Sequence, residues 1–275
     1  SDLNFAHLWK RLEIEGILED ELLKHVWNSL IPQRETHESL IAIMEKFSLL
    51  CPWPSSQDFP NKRYIVPSML RTPLPEEICD LVESAKIPSL FIKFDTGRVP
   101  PGLFPRFVIE FLLKCDREFP RLALPQLYNN FARFNNFPKQ GLSVVLLCHS
   151  STIEVVLVSA NGGIDMVKMA SIQAFRSQLT SIINQVRDKC FWVKNVGCDV
   201  CFLCPVCSRG RVISLCKLHH KRGCKEEECL HFISELDLGD ETQAICTKSV
   251  GAANNQIQVE KFYPWISCAE KKVKK

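Results

Sequence analysis

The sequence lacks any long apolar run and any strong excess of charge. Its densest apolar run, Leu142 to Cys148, has the length of a strand, whereas a membrane-spanning helix needs roughly 20 apolar residues. The 34 Lys+Arg residues nearly balance the 31 Asp+Glu residues, and the net charge of +3 is too small to indicate a nucleic-acid or membrane partner. With 46% apolar and 24% charged residues, the chain has the composition of an ordinary folded globular protein.

The sequence also lacks the signatures of several enzyme classes. No glycine is followed by a lysine, which excludes the phosphate-binding P-loop of nucleotide hydrolases. The motifs HExxH and GxSxG and the protein-kinase motifs are absent as well. Cys148 and His149 end a predicted strand, where adjacent side chains point to opposite faces, so we expect one core thiol and one surface imidazole there. We therefore predict a non-enzymatic chain that binds no nucleotide itself.

Cysteine, by contrast, is abundant and unevenly distributed. Seven of the 14 cysteines lie between Cys198 and Cys229, together with His219, His220 and, just beyond, His231. Disulfide frameworks are typical of small secreted proteins, whereas this chain is long and its polar, amphipathic start does not resemble a signal peptide. We therefore predict a cytoplasmic protein whose clustered thiolates bind a metal ion.

The spacing of the clustered cysteines is typical of a zinc site. Cys204-Pro-Val-Cys207 has the form of a zinc knuckle, a tight turn that brings two sulfur atoms onto one ion. Zinc takes four ligands in a tetrahedron, and the candidates exceed that number, so the sequence allows one structural zinc ion or two. The predicted ligands are Cys204, Cys207, Cys216, His219, Cys224, Cys229 and His231. Cys246, which lies beside the predicted C-terminal strand, could supply a further ligand.

A structural role for the zinc is favoured over a catalytic one. Cysteine and histidine ligands without an open position are typical of structural sites. The segment between Cys198 and Lys225 has few apolar residues, so metal binding would supply folding free energy that packing cannot. A RING domain would need a cysteine two or three residues after His219 and then a further CxxC pair, and the sequence after His219 has neither. A thioredoxin-type redox site would need its CxxC at a helix N-terminus after a strand, whereas this CxxC lies within a run of four cysteines.

The first third of the chain predicts three short helices and a two-stranded wing. Apolar residues recur at helical spacing in three stretches, with stop or start signals at Gly16, Pro32 and Thr36. The stretches are Phe5, Leu8, Trp9 and Leu12; then Leu18, Leu22, Val26 and Leu30; then Leu40, Ile41, Met44 and Phe47. Two short strands follow, at 49–51 and 64–67. This is the outline of a winged-helix module, but the third helix carries one lysine against Glu38 and Glu45, which argues against DNA binding.

The remainder of the chain predicts a region that mixes helices and strands. The predicted elements are a strand at Ser89–Phe94, a helix after Gly102, a short helix around Leu127–Phe134, a hairpin of strands Leu142–Cys148 and Ile153–Val158, a long helix over Ala170–Cys190 and a strand around Gln256–Tyr263. We therefore predict an α+β fold. In it, a winged-helix-like helical subdomain is followed by a β-sheet-containing subdomain with a Cys/His-rich zinc-binding insertion.

Several sequence blocks, taken in order, resemble the COR domain of Roco GTPases, the module named "C-terminal of Roc". The blocks are Leu8-Trp9, Gly16-Ile17-Leu18, Val26-Trp27-Asn28, Ile43 to Leu49, Tyr64 to Leu70 and Pro100 to Phe107. Each block alone is apolar and loosely defined. The resemblance is specific because the blocks follow one another in the family's order along most of the chain. Among Roco proteins, the cysteine-rich insertion and the ending Tyr263-Pro264 are most similar to the malignant-fibrous-histiocytoma-amplified-sequence group.

The resemblance implies a two-part module that acts on an adjacent Ras-like GTPase domain outside this chain. A winged-helix-like COR-A subdomain would span residues 1–87, and a COR-B-like α+β subdomain would span residues 88–275, with the Cys/His-rich element at 198–246. The implied function is non-catalytic: regulation of the GTPase, dimerisation and scaffolding in signalling. The expected partners are the GTPase domain and a second copy of the chain. The alternative is a zinc-stabilised adaptor or nucleic-acid-binding module unrelated to a GTPase.

Overall fold

The computed structural model describes residues 5–28, 30–31, 34–53, 61–71, 80–118, 125–137, 142–159, 166–190, 192–208, 230–238, 243–249 and 255–266. These residues form helices together with a three-stranded, a seven-stranded and a two-stranded sheet. The mixture of helix and antiparallel sheet confirms the predicted α+β class.

The N-terminal unit, formed by the described residues up to 71, combines three helices with a small antiparallel sheet. Its elements are α1 (Ala6–Glu15), β1 (Ile17–Glu19), α2 (Asp20–Asn28), α3 (Arg34–Lys46), β2 (Cys51–Pro52) and β3 (Arg63–Ile65). Strand β3 lies between β1 and β2. The predicted apolar stripes supply the core, where Leu8, Leu22 and Tyr64 are buried together. Strand β1 was not predicted, because Leu18 continues the helical spacing of α2.

The turn from α1 into β1 depends on Gly16. This residue has a φ of +68°, and its N–H donates a hydrogen bond to the carbonyl oxygen of Leu12 at 3.0 Å. A positive φ is the left-handed region that glycine adopts without a steric penalty. A Cβ atom at this position would lie 2.9 Å from Leu70 Cδ2, so both the backbone and the packing require glycine. The predicted helix stop at Gly16 is confirmed.

The second unit is built on a seven-stranded antiparallel sheet. Its strands are β4 (Leu90–Phe94), β5 (Gln126–Leu127), β6 (Phe131–Phe137), β7 (Leu142–Cys148), β8 (Thr152–Ser159), β9 (Cys198–Leu203) and β10 (Phe232–Ser234). They lie in the order β10-β9-β4-β8-β7-β6-β5. The hairpin of β7 and β8 pairs Leu142 with Ser159 and Cys148 with Ile153, which confirms the predicted hairpin.

Two long helices cover one face of this sheet, and they are α4 (Leu103–Glu118) and α5 (Met166–Lys189). Their apolar side chains share one core with alternate residues of the strands, as expected where successive strand residues face opposite sides. The ring of Phe111 on α4 lies 4.5 Å from that of Phe134 and 5.8 Å from that of Phe175. Among the described helices, none combines the length and apolar content needed to cross a membrane.

The opposite face of the sheet is buried by short segments. Val145 and Val156 pack against Val82 and Ala85, at the end of a helical stretch whose described residues are 80–83. Farther along the sheet, Phe91 packs against Cys201 and Leu230. Both faces of the sheet are therefore buried, which explains why its central strands are apolar almost throughout.

A polar pair lies on this second buried face. Glu154 is fully buried, and its Oε2 lies 2.8 Å from His149 Nε2. The histidine side chain is only 9% exposed, so the predicted surface imidazole is wrong: the turn between β7 and β8 folds the ring over the carboxylate. Cys148 packs against the main core, and burial raises the pKa of its thiol to about 12, as expected of a core thiol.

The sequence prediction is also wrong around Leu127–Phe134. This segment forms β5 and the start of β6 in place of a short helix, and Leu127 pairs with Ala132 across a tight antiparallel turn. Phe131 faces one side of the sheet and Phe134 the other, so the residues that fit a helical spacing are divided between two cores. Pairing with β7 outweighs the weak local helical preference.

The C-terminal elements form a second, smaller sheet beside the main core. Strand β11 (Gln243–Ile245) pairs with β12 (Gln256–Gln258), and the short helix α6 (Glu235–Leu238) precedes them. The strand predicted over Gln256–Tyr263 ends at Gln258, where a 3-10 helix begins. Ile257, Phe262 and Trp265 are buried in the same core as α4 and α5, so the small sheet packs onto the large one.

The two units meet at α4. Ile109 packs with Cys51 and Ile65 of the N-terminal unit. Arg106 Nε donates a hydrogen bond to Ser48 Oγ at 3.0 Å. Helix α4 therefore belongs to the core of the second unit on one side and contacts the N-terminal sheet on the other.

Candidate metal centre

Four metal-ligating side chains from three separate segments converge at the end of β9. Cys204 and Cys207 lie in the turn that directly follows this strand, His231 directly precedes β10, and Cys246 directly follows β11. Pairing of β10 with β9 places Phe232 opposite Leu203, which brings His231 next to the turn. The small sheet supplies the fourth side chain. Residues distant in sequence are therefore positioned by strand pairing.

The four donor atoms are close enough to surround a single ion. Cys207 Sγ lies 3.0 Å from His231 Nδ1 and 3.3 Å from Cys246 Sγ. With Cys204 Sγ included, all four donors lie within 4.8 Å of one another. Zinc bonds of about 2.3 Å to sulfur and about 2.0 Å to nitrogen place the ligands of a tetrahedral ion about 3.5–3.8 Å apart. The spacing therefore fits one mononuclear site.

Hydrogen bonds favour a thiolate at Cys246. Burial raises the pKa of this thiol, but four hydrogen bonds outweigh burial and lower the pKa to about 6. The donors are the side chains of Ser249, Cys207 and Cys204 and the backbone N–H of Lys248. A carboxylate or thiolate that accepts several hydrogen bonds is stabilised in its charged form. These hydrogen bonds therefore stabilise the ionised form of Cys246.

Ionisation of Cys207, which would place a second thiolate beside Cys246, is unfavourable without a metal ion. Burial, followed by the hydrogen bonds to Cys246 and Cys204, raises the pKa of the Cys207 thiol to about 12. Two thiolates in contact repel each other, and a divalent cation between them removes this repulsion. The site therefore has the electrostatic character of a cation site: one thiolate is preformed, and the next requires a positive charge.

The residues after Cys246 form a turn that supports two of the ligands. Ser249 N–H donates a hydrogen bond to the Cys246 carbonyl oxygen at 3.3 Å, as Ser208 N–H does to that of Cys204 at 3.1 Å. Thr247 Oγ1 lies 3.5 Å from His231 Nε2, which leaves Nδ1 facing the thiols. Metal-bound histidines are commonly oriented by a polar group at the other ring nitrogen. Thr247 occupies that position here.

The structure brings together three of the seven predicted ligands, Cys204, Cys207 and His231. The other four, Cys216, His219, Cys224 and Cys229, lie outside the described residues. Cys246 completes the group, although the sequence offered only its position beside the C-terminal strand as a signal. Its place in the site depends on β11 and β12 packing against the main core, which no local motif reveals.

The first two cysteines of the series do not join this group. Cys201 lies on the opposite face of the sheet, where its thiol donates to the carbonyl oxygen of Phe91 at 3.7 Å and burial raises its pKa to about 12. Cys198 packs against the main core, and burial raises the pKa of its thiol as well. Both residues belong to β9 itself, so the extended strand separates them from the knuckle.

The chain matches no family model and no curated protein. The chemistry of the metal centre and the arrangement of the elements are therefore the basis for assigning a function.

Proposed function

We propose that this chain is the COR-type module of a Roco GTPase, a non-catalytic part that regulates the adjacent Ras-like GTPase domain and promotes dimerisation. The main support is the ordered series of sequence blocks that resemble COR domains. The N-terminal unit adds to it, because the order α1-β1-α2-α3-β2-β3 with β3 between β1 and β2 is typical of a winged-helix fold. Fold alone does not assign a function, so the surface of the unit is the next support.

The exposed surface of α3 favours a protein partner. Ile43 and Phe47 lie one turn apart and are 51% and 53% exposed, and Leu49 beyond them is 55% exposed. Neighbouring exposed apolar residues mark contact sites on soluble proteins. We name these three residues the α3 apolar surface and propose that it contacts the GTPase domain. A helix that reads DNA carries Arg or Lys at such positions.

The metal is proposed to be zinc in a structural role. Three thiolates and one imidazole form a soft donor set that suits zinc, and a full set of four protein ligands leaves no position for a substrate. The ion would join the turn after β9 to the residue before β10 and to the turn after β11. It would thereby hold Ser208 and Leu230, which flank residues 209–229 of the Cys/His-rich element, against the core. Binding energy at such a site is folding energy.

A longer protein that contains the GTPase domain tests the regulatory role. The double substitution Ile43→Ser and Phe47→Ser removes two of the three residues of the α3 apolar surface, and we expect it to change GTP hydrolysis and to weaken dimerisation in sedimentation experiments. The matched control is Leu236→Ser, which removes a 92% exposed leucine from the second unit. Equal GTP hydrolysis and equal self-association in all three proteins would contradict the proposal. Elemental analysis of the purified chain tests the zinc.

A further inference from the structure

We propose that Cys207 and Cys246 form an oxidation site, at which a hydroperoxide converts the two thiols into a disulfide and so releases the metal ion. This inference rests on the proposed zinc site, because the same two sulfur atoms serve as ligands there. It assigns a second chemical state to the centre: a covalent bond between the two turns in place of a shared ion.

The two sulfur atoms are already in contact. Cys207 Sγ lies 3.3 Å from Cys246 Sγ, and a disulfide needs a separation of about 2.05 Å, so a shift of about 1.2 Å closes the bond. Each turn is anchored by its own strand pair, β9 with β10 and β11 with β12. The small movement required therefore leaves both anchors in place.

Because zinc binds both sulfurs as thiolates, exposure decides which of the two reacts first in the loaded centre. Cys207 is half-buried, whereas Cys204 and Cys246 are fully buried. A small oxidant from solvent therefore meets Cys207 before Cys246, which has no exposed surface. This is the arrangement of an attacking thiol and a resolving thiol. Cys204 is equally buried and also hydrogen-bonds to Cys207, so identification of the cross-linked peptides distinguishes it from Cys246, which lies 3.3 Å away.

The chemistry balances with one hydroperoxide as the oxidant. With hydrogen peroxide, the zinc-bound Cys207 thiolate attacks one peroxide oxygen, the O–O bond breaks, and the products are a sulfenic acid and one hydroxide ion. The Cys246 thiolate then attacks the sulfenic sulfur, the S–O bond breaks, and a second hydroxide ion leaves. Two protons from solvent convert the hydroxide ions into two waters. The two sulfur atoms supply the two electrons that reduce the peroxide, and a dithiol reductant reverses the change.

Oxidation leaves the centre with too few ligands. Among the described residues, only Cys204 and His231 remain as donors, whereas structural zinc is held by four. The disulfide still joins the turn after β9 to the turn after β11, which lie 39 residues apart in the chain. His231, which lies shortly after residues 209–229, is no longer held by an ion shared with the two cysteines. Oxidation therefore keeps the link between the turn after β9 and the turn after β11 but releases the link to His231.

Titration of the zinc-loaded chain with hydrogen peroxide tests this inference. We expect about one zinc ion released per disulfide formed, measured with a chromogenic chelator, since one pair of ligands serves one ion. Mass spectrometry of non-reduced peptides should identify the Cys207–Cys246 cross-link, and a dithiol with added zinc should restore the loaded form. A first cross-link between Cys204 and Cys207, or a disulfide that forms with the zinc retained, would overturn it.

Two variants separate oxidation at this pair from general oxidation. Cys207→His keeps four potential ligands but cannot form the disulfide, so we expect zinc release by peroxide to slow at least tenfold. Cys201→Ser removes a buried thiol on the other face of the sheet and should release zinc like the unmodified chain. Equal release rates from Cys207→His and the unmodified chain would contradict the assignment of Cys207.

The inference and the proposed zinc site can fail separately. A purified chain that takes up no zinc would contradict the zinc site. The reduced, metal-free chain would then still test the thiol pair: a Cys207–Cys246 disulfide formed by peroxide supports an oxidation site, and its absence rejects one. A zinc-bound chain that withstands excess peroxide without forming this disulfide would retain the zinc site and reject the oxidation site.

Discussion

The backbone N–H of Cys204 donates a hydrogen bond to the carbonyl oxygen of His231 at 2.8 Å. This bond extends the ladder between β9 and β10 by one step beyond the pair Leu203 and Phe232. Two ligands from distant parts of the sequence are therefore brought together by the sheet itself. The knuckle and the histidine form a preorganised half of the centre, and the turn at Cys246 supplies the other half.

Substitution of a ligand should abolish zinc binding and destabilise the second unit. We expect Cys246→Ser to lose its zinc and to unfold with a free energy lower by several kcal/mol, since structural zinc contributes on the order of 10 kcal/mol in small domains. Elemental analysis and denaturant unfolding would measure the two effects. Cys198→Ser is the control, because this residue packs outside the centre. Zinc bound equally by both variants would contradict the ligand set.

Zinc affinity should fall steeply in mild acid. The pKa of Cys246 is lowered to about 6 from 9.0, and that of Cys207 is raised to about 12. Because zinc binds thiolates, its binding at neutral pH should displace the Cys207 proton, and below about pH 6 it should displace the Cys246 proton as well. Calorimetry in buffers of different ionisation enthalpy would count the released protons. Binding without proton release would contradict this assignment.

The metal-free chain should show a related dependence of stability on pH. The folded pKa of Cys246 lies below its unfolded value, so the unfolded state holds more protons between about pH 6 and 9. Stability should therefore rise with pH across this window, and the contribution of this thiol should be lost as the pH falls through about 6. Between about pH 9 and 12 the raised pKa of Cys207 acts in the opposite direction. Cys246→Ala should abolish the rise in stability between about pH 6 and 9.

Thr247 should act as a positioning residue for His231. Loss of its hydroxyl in Thr247→Val frees the Nε2 atom that lies 3.5 Å away, and we expect zinc affinity to fall about 10- to 100-fold, as for other groups that orient metal ligands. Thr247→Ser restores a hydroxyl and should restore the affinity. Competition with a chelator would measure the zinc affinity of both variants. A Thr247→Val chain with unchanged affinity would show that His231 is oriented by other contacts.

The fold could be predicted where local pattern and tertiary contacts agree. Helices α1, α4 and α5 and the hairpin of β7 and β8 have clear apolar periodicity and stop signals such as Gly16. The prediction failed at Leu127–Phe134, because the sheet buries its two faces in different cores. Strands β1, β9, β10 and β11 have only three to six residues and depend on pairing partners distant in sequence.

The candidate centre could be predicted only in part for a similar reason. The knuckle at Cys204 and Cys207 is a local motif and was found by its spacing. His231 was one of several candidates, and only the pairing of β9 with β10 distinguishes it from histidines nearby. Cys246 had no motif at all, because its partner segments meet it through the packing of the small sheet against the core.

Gly16→Ala should destabilise the N-terminal unit more than a matched glycine substitution does. Gly16 and Gly97 have nearly equal φ values of +68° and +70°, so alanine adds the same backbone strain of about 1 kcal/mol at both. Only at Gly16 does the added Cβ meet a neighbour, Leu70 Cδ2 at 2.9 Å. The difference in unfolding free energy between the two variants therefore reports the contact with Leu70. Equal losses would mean that Leu70 moves aside freely.

His149→Ala should be among the most damaging single changes on the second buried face. It leaves the fully buried Glu154 carboxylate without its only described partner, since Oε1 already has none among the described residues. Loss of one member of a buried pair costs about 3–5 kcal/mol, whereas replacing both members with apolar groups is often close to neutral. Denaturant unfolding should therefore rank His149→Ala as less stable than the double variant with Glu154→Leu.

Thr152→Val supplies the matched control for this pair. Thr152 lies on the same face of β8 and is fully buried, and its hydroxyl has no hydrogen-bond partner among the described residues. Valine has nearly the same shape and removes an unsatisfied polar group, so we expect no loss of stability and a gain of up to about 1 kcal/mol. A double variant no more stable than His149→Ala would show that the unpaired Glu154 carboxylate costs no stability, because its removal would then relieve nothing.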